Sequence, residues 1–309
     1  MRLLLLPLFG LLAACQSLPP LPEWQSPEGR DNPELGVIRD MRSGEQLTPE
    51  QLLERLATQS RVLVGEQHDN PDHHALQLWL LQGLEARRPQ GSLLLEMLEP
   101  EQQAKVDAVR KSSLPADLSQ ALAWQKNWNW ELYGPIVRHA LAQPYPLLAA
   151  NLDRSEIKRI YKERPVLQGE QSTAETVRGP LLEQIRESHC GLLPESQMPA
   201  MLAVQQQRDR RMAERLLAAP TPAVLFAGAF HVRRDLGVPL HLADLGKAEG
   251  NAVLIFSEVG KPVEQGAADY VWYTAALPPI DHCAGMRQKL PAARLAPTSR
   301  LHSDLLNHR

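Results

Sequence analysis

RVLVGEQHDNPDHH, residues 61–74, carries a strand into a helix through a knot of acids, amides and imidazoles. Residues 61–65 are a short, continuous apolar run, the pattern of a strand covered on both faces. Asn70 followed by Pro71 reads as an N-cap and a first helical residue, which places His73 and His74 in the opening turn of a helix. Glu66 and His68 stand two apart, so on extended backbone both point to one side.

The same signature recurs outward from this stretch. Residues 92–96, 146–150, 223–227 and 252–256 are further apolar runs of strand length, and helical patterns such as 75–84 and 136–142 lie between them. The alternation predicts an α/β fold, with a mostly parallel sheet and helices on both faces. Upstream, a Ser43-Gly44 turn precedes Thr48, Pro49 and Gln51, which read as cap, first-turn proline and capping-box glutamine. Residues 100–140 are mostly helical. Residues 154–218 hold helical patterns, including 198–217, and no strand, which predicts a smaller all-helical subdomain inserted into a core of residues 36–153 and 219–290.

Four of the apolar runs end in chemistry. Glu66 and His68 follow the first, Glu96 closes the second, Asn151 and Asp153 follow the third, and His231 follows the fourth. In an open α/β sheet the carboxyl ends of the strands share one edge, so residues this distant in sequence can line one cleft. Glu66, Glu96, His68, His73, His74 and His231 are the donors a divalent zinc, manganese or iron site uses, and they serve metal-free acid/base chemistry equally well. The spacing lacks the His-x-x-x-His of a zincin. Nor does the chain contain a nucleophile elbow, a Walker loop or a dinucleotide fingerprint.

Thirty-three Lys and Arg against 36 Asp and Glu leave a net charge of −3 with no basic footprint for nucleic acid. The first 14 residues read as a lipoprotein signal peptide, with Leu12-Ala13-Ala14 before Cys15 as the residue to be lipidated. Gln16 favours the bacterial outer membrane as the destination. Residues 15–35, rich in Pro and polar side chains, read as a tether, and residues 291–309 as a C-terminal tail. Beyond the leader no apolar run reaches bilayer length, so the body reads as soluble. Export leaves Cys190 and Cys283 as a pair, either bonded or as two buried thiols.

The aromatic residues are few. Trp128, Trp130 and Tyr133 cluster ahead of Pro135, and Tyr161 sits among Arg154, Lys158, Arg159, Lys162 and Arg164. A tyrosinate ligates ferric haem, and cations beside it lower its pKa and pair with propionates. Core packing for Tyr133 and a solvated basic face for Tyr161 are the structural alternatives.

With GEQHDNPDHH, LLLEML, the Trp130-to-Pro135 segment, LLAANLDR, HCGLLPE, VQQQRDRRMAERL, AGAFHVRRDLGVPLHL and DYVWYT in order over about residues 60–283, the chain resembles the ChaN family of haem-binding lipoproteins. Within the Tiki-like superfamily, that resemblance implies a parallel sheet with flanking helices and a smaller helical domain. It implies a role in haem or iron uptake at the outer membrane, with b-type ferric haem held face to face at a homodimer interface through Tyr, and an outer-membrane receptor as partner. Tyr161, Tyr133 and, as a second-site residue, His189 are the cofactor-binding candidates it implies. Glu66, His68, His73, His74, Glu96 and His231 match the superfamily's acidic and histidine positions. Gln205, Arg208 and Asp209 match its helical signature, with Asp209 suited to orienting a cleft imidazole. The last histidine departs from the pattern: Phe230 precedes it where the superfamily carries glycine-rich sequence.

Three readings follow. The first is a membrane-anchored protein that stores or relays haem. The second is a Tiki-like metal-dependent hydrolase acting through Glu66, His68, Glu96 and His231. The third is an envelope scaffold whose polar strand ends are structural. Binding stands ahead of catalysis among them.

Overall fold

The computed structural model describes residues 18–285 and 287; the leader, Cys15 and the tail at 291–309 lie outside the described residues. The chain opens with β1 (Ile38–Asp40), β2 (Gln46–Leu47) and α1 (Pro49–Ala57). β3 (Arg61–Glu66), α2 (Pro71–Glu85), β4 (Ser92–Leu95), α3 (Gln103–Arg110), α4 (Leu118–Ala121), α5 (Trp130–Leu141) and β5 (Leu147–Ala149) follow. Three helices come next, α6 (Arg154–Glu163), α7 (Glu175–Ser188) and α8 (Met198–Ala218). The chain then returns to the sheet through β6 (Ala223–Gly228), α9 (Ala229–Val232), α10 (Val238–Asp244), β7 (Asn251–Glu258) and β8 (Tyr270–Thr274).

The strands form one sheet in the order β2-β1-β8-β7-β3-β6-β4-β5. All pairings from β8 to β5 are parallel, and β1 runs antiparallel to both β2 and β8. The fold is thus the expected α/β arrangement, with an antiparallel edge that the sequence reading did not contain. β3 lies between β6 and β7, where the chain's direction of travel across the sheet reverses, the place where such sheets bind ligands.

Strand pleating divides the core. Val62, Val64, Phe226 and Phe256 face one layer closed by α1, α2 and α5. Leu63, Leu225 and Ile255 face the other, under α8 and α10. The predicted caps form: Thr48 exchanges both capping-box bonds with Gln51, and Asn70 accepts from the amides of Asp72 and His73. Helices α6 to α8 carry two small apolar clusters, one around Leu181 and Leu202 that Leu236 and Leu240 from the returning chain join, the other around Ile157 and Val204. The far half of α8 instead packs into the main core through Met212, Ala213 and Leu216.

The stretch expected to be a tether is largely a strap. From Leu18 onward it lies along α2, where Trp79 Nε1 donates to the Pro19 carbonyl at 2.9 Å. The Gln25 and Ser26 amides donate to the Asp72 carboxylate at 2.6 and 3.0 Å, and Glu28 bridges to Ala276. Leu18 and Trp24 supply apolar surface to the core, and Asp72 supplies acceptors at a helix start. Proline-rich sequence without periodicity is therefore fixed by partners distant in sequence. Cys190 and Cys283, left open by the sequence, are joined as a disulfide.

Candidate functional site

The carboxyl ends of β3, β6 and β7 open into a cleft of about 1120 Å³, lined among others by Glu66, His68, Arg208, His231 and Glu258, with Glu96 at the end of β4 buried beneath it. Two hydrogen-bonded relays meet at its floor. In the first, Tyr133 on α5 donates its hydroxyl to Glu66 Oε1 at 2.8 Å, and His68 Nδ1 meets the same oxygen at 2.6 Å. Trp128 packs edge-on against the His68 ring with centroids 4.8 Å apart. In the second, Glu96 Oε2 accepts from the Gly228 amide at 2.8 Å, while its Oε1 lies 3.3 Å from His231 Nε2. His231 Nδ1 is 2.5 Å from Asp209 Oδ1, with the Gln205 amide 3.1 Å from the same nitrogen.

Gly228 sits between the relays. A Cβ there would come within 2.9 Å of both His68 Nε2 and Cε1, so the close approach of ring to backbone requires glycine.

Electrostatics separates the imidazoles by role. Burial alone would discharge His231, but Glu96 and Asp209 outweigh it and carry its pKa up to about 10. Burial likewise opposes charge on Glu96, yet His231, His68 and Arg208 hold its carboxyl far below the usual range. His68 follows His231: burial is overcome by Glu66, and its pKa is raised. Tyr133 goes the other way, because burial and the Glu66 charge together push its phenol well above the ordinary value.

The six expected metal donors do not form a metal site. Among the described residues no group of three or more His, Cys, Asp or Glu side chains is placed to hold an ion. His73 is fully buried, with Nδ1 accepting from the Gln67 amide at 2.9 Å and Nε2 donating to Thr274 Oγ1 at 2.8 Å. Burial pushes its pKa well down, so it is neutral and spent. His74 Nε2 donates to the His68 carbonyl at 3.0 Å, and its Nδ1 meets the Gln77 side chain at 3.2 Å. Both rings therefore pin the loop between β3 and α2, and although His73 borders the cleft, neither ring has a nitrogen left to donate there. Glu66, His68, Glu96 and His231, the residues of the hydrolase reading, do meet at the cleft floor, but among the described residues they are not arranged to hold an ion, so that reading is not favoured.

The expected haem residues are scattered. Tyr133 lies beneath the floor, buried and committed to Glu66. Tyr161 packs on α6 against the cluster around Ile157 and Val204, away from the cleft lining. Its phenol is raised by burial, which outweighs Arg164, so the basic surroundings do not lower it. His189 caps the end of α7, its Nδ1 2.8 Å from the Ile185 carbonyl. Gln205, Arg208 and Asp209 on α8 do reach the cleft region, as the helical signature implied.

Sequence reading missed Glu258. Its Oε1 accepts from Asn70 Nδ2 at 2.8 Å and from the Leu277 amide at 3.0 Å, and its Oε2 pairs with Lys261 at 2.6 Å. The signal was present, because the fifth apolar run also ends in a carboxylate two residues on. The cleft wall from Ile280 to Cys283, tied to α7 by the disulfide, had no such signal.

Residues 52–242 match the family model described as "Haem-binding uptake, Tiki superfamily, ChaN". Among solved structures, one described as cofacial heme binding to ChaN of Campylobacter jejuni is 30% identical with a TM-score of 0.71, over 76% of this chain and 95% of that one. A mutant of the erythromycin esterase EreC, in its open conformation, is 13% identical with a TM-score of 0.45, over 83% of this chain and 86% of that one. No curated protein matches. The match over most of the folded core, together with a 30% identical structural relative, places this chain in the ChaN haem-binding uptake family of the Tiki superfamily.

Proposed function

We propose that this chain binds haem as cargo in the strand-end cleft and stores or relays it during haem or iron acquisition. The observation that carries the reading is the cleft itself. Its volume of about 1120 Å³ suits a large planar ligand, with Trp128, Phe230, Ile255, Phe256 and Val263 to flank an apolar macrocycle. Arg208 lines it with a buried Nε that has no partner, a cation suited to a propionate.

For the iron, His68 is the cleft residue best prepared: Glu66 engages Nδ1, which leaves Nε2 for a ferric b-type haem. Tyr161, the ligand the family resemblance suggested, is the competing site and would place haem on the α6 surface. Titrating hemin into the chain and its variants separates the two. His68→Ala is expected to abolish the Soret shift and Tyr161→Phe to preserve it; the reverse result assigns the haem to Tyr161.

The finer reading extends to assembly and place. We infer a homodimer formed on haem binding, with the exposed Phe230 and Ile280 at the cleft mouth as apolar contact surface. Acylation at Cys15 would hold it on the bacterial outer membrane beside a haem receptor. No helix among the described residues is long and apolar enough to cross a membrane. Light scattering during the hemin titration tests the dimer: a mass that stays monomeric at saturation removes it.

A further inference from the structure

The start of the strap fixes which edge of the molecule lies near the proposed anchor. Leu18 lies 3.4 Å from where a Cβ on Gly83 would stand, and Pro19 is bonded to Trp79, both on the latter half of α2. Ser26 is bonded to Asp72 on the first turn. The strap therefore runs antiparallel to α2, beginning at the amino-terminal edge of the parallel strands and ending at the cleft edge. Only Gln16 and Ser17 separate Leu18 from Cys15, a reach of about 10 Å at full extension.

That amino-terminal edge is basic. Arg61, Arg87, Arg88, Arg110, Lys111 and Lys247 stand on or beside the turns that lead into the parallel strands. Among the described residues none of them is in an ion pair. Arg88 and Arg110 donate to backbone carbonyls, which satisfies some of their N–H groups without cancelling charge. The same turns contribute Asp117 and Glu249 as their acids, and Glu85 and Asp244 stand beside them at the ends of α2 and α10, engaged by His139 and Tyr145 and by Gln171 and Ser172. Leu114, 38% exposed, projects from the turn after Lys111.

We propose that this edge docks on an anionic phospholipid surface, an inference that deepens the anchored-protein reading and rests on it for the position of Cys15. Each basic side chain near such a surface adds attraction that decays over the Debye length, and an exposed leucine adds apolar insertion. The cleft opens at the opposite edge, about 20 Å away along six-residue β3, and so faces away from the bilayer. Cargo then exchanges with a partner in the aqueous phase, not with the lipid.

The form lacking residues 1–15 retains every core cluster and suits the test. It should sediment with phosphatidylcholine vesicles that contain phosphatidylglycerol, not with phosphatidylcholine alone, and release as salt is raised. The triple variant Arg87→Glu, Lys111→Glu, Lys247→Glu should bind about a hundredfold more weakly. The conservative triple Arg87→Lys, Lys111→Arg, Lys247→Arg should bind normally, which separates charge from folding. Equal binding to neutral vesicles, no binding to anionic ones, or indifference to charge reversal overturns the proposal. Acylation is read separately, by mass spectrometry of the Cys15 peptide from the full chain made in bacteria. An unmodified Cys15 with vesicle binding intact removes the anchor reading and leaves the docking surface standing.

Discussion

Replacing Asp209 with Ala should uncover the charge on His231. Asp209 is fully buried, His231 is 6% exposed, and their 2.5 Å contact is one of two that hold the imidazolium; the other is to Glu96. Removing one partner of a buried ion pair costs about 3–5 kcal/mol, and because Glu96 remains the lower end applies, about 3 kcal/mol. For a chain this long that is a fall of about 5 °C in Tm. The pH dependence gives the sharper test. With its folded pKa raised to about 10 from an ordinary 6.5, His231 contributes stability that is complete below pH 6.5 and is lost as pH rises toward 10. The difference between wild type and Asp209→Ala should therefore be largest near pH 6.5 and shrink toward pH 10. Urea unfolding followed by tryptophan fluorescence at matched ionic strength measures it, with Asp209→Asn retaining shape and hydrogen bonding without the charge. A cost below about 1 kcal/mol near pH 6.5, or one that does not change with pH, would refute the charged-pair account.

Other changes probe the remaining parts. Tyr133→Phe removes a buried hydroxyl donor from Glu66 and should cost about 1.5–3 kcal/mol in urea while leaving the fold intact by circular dichroism. Gly228→Ala drives a methyl into the His68 ring and should cost about 1–3 kcal/mol and weaken hemin binding at least tenfold, if His68 holds the iron; unchanged affinity would separate the ring from the haem. Asp72→Ala strips the acceptor from the Gln25 and Ser26 amides, so limited proteolysis within residues 18–35 should accelerate several-fold, with a stability loss of about 1–3 kcal/mol.

Much of the architecture was legible because it is encoded locally. Apolar runs of strand length, bounded by turn residues and alternating with helical patterns, fit strands buried on both sides better than pieces of buried helix, and caps such as Thr48 and Asn70 act within three residues of themselves. The strand-end rule then placed Glu66, His68, Glu96 and His231 at one edge before any distance was known. Tertiary structure alone decided what each of these groups does. His73 and His74 read as donors facing a cleft, yet their nitrogens are taken by the Gln67 amide, Thr274, the His68 carbonyl and Gln77. Tyr133 read as a candidate ligand, yet it lies under the floor against Glu66. The strap over α2, the antiparallel edge and the Cys190–Cys283 bond likewise depend on partners tens to hundreds of residues away. A residue's type and its neighbours along the chain determine the conformation it adopts and the side it faces. Its protonation and its free valences are set by whatever the fold packs against it, because burial and nearby charge, not sequence spacing, fix the cost of ionising a group.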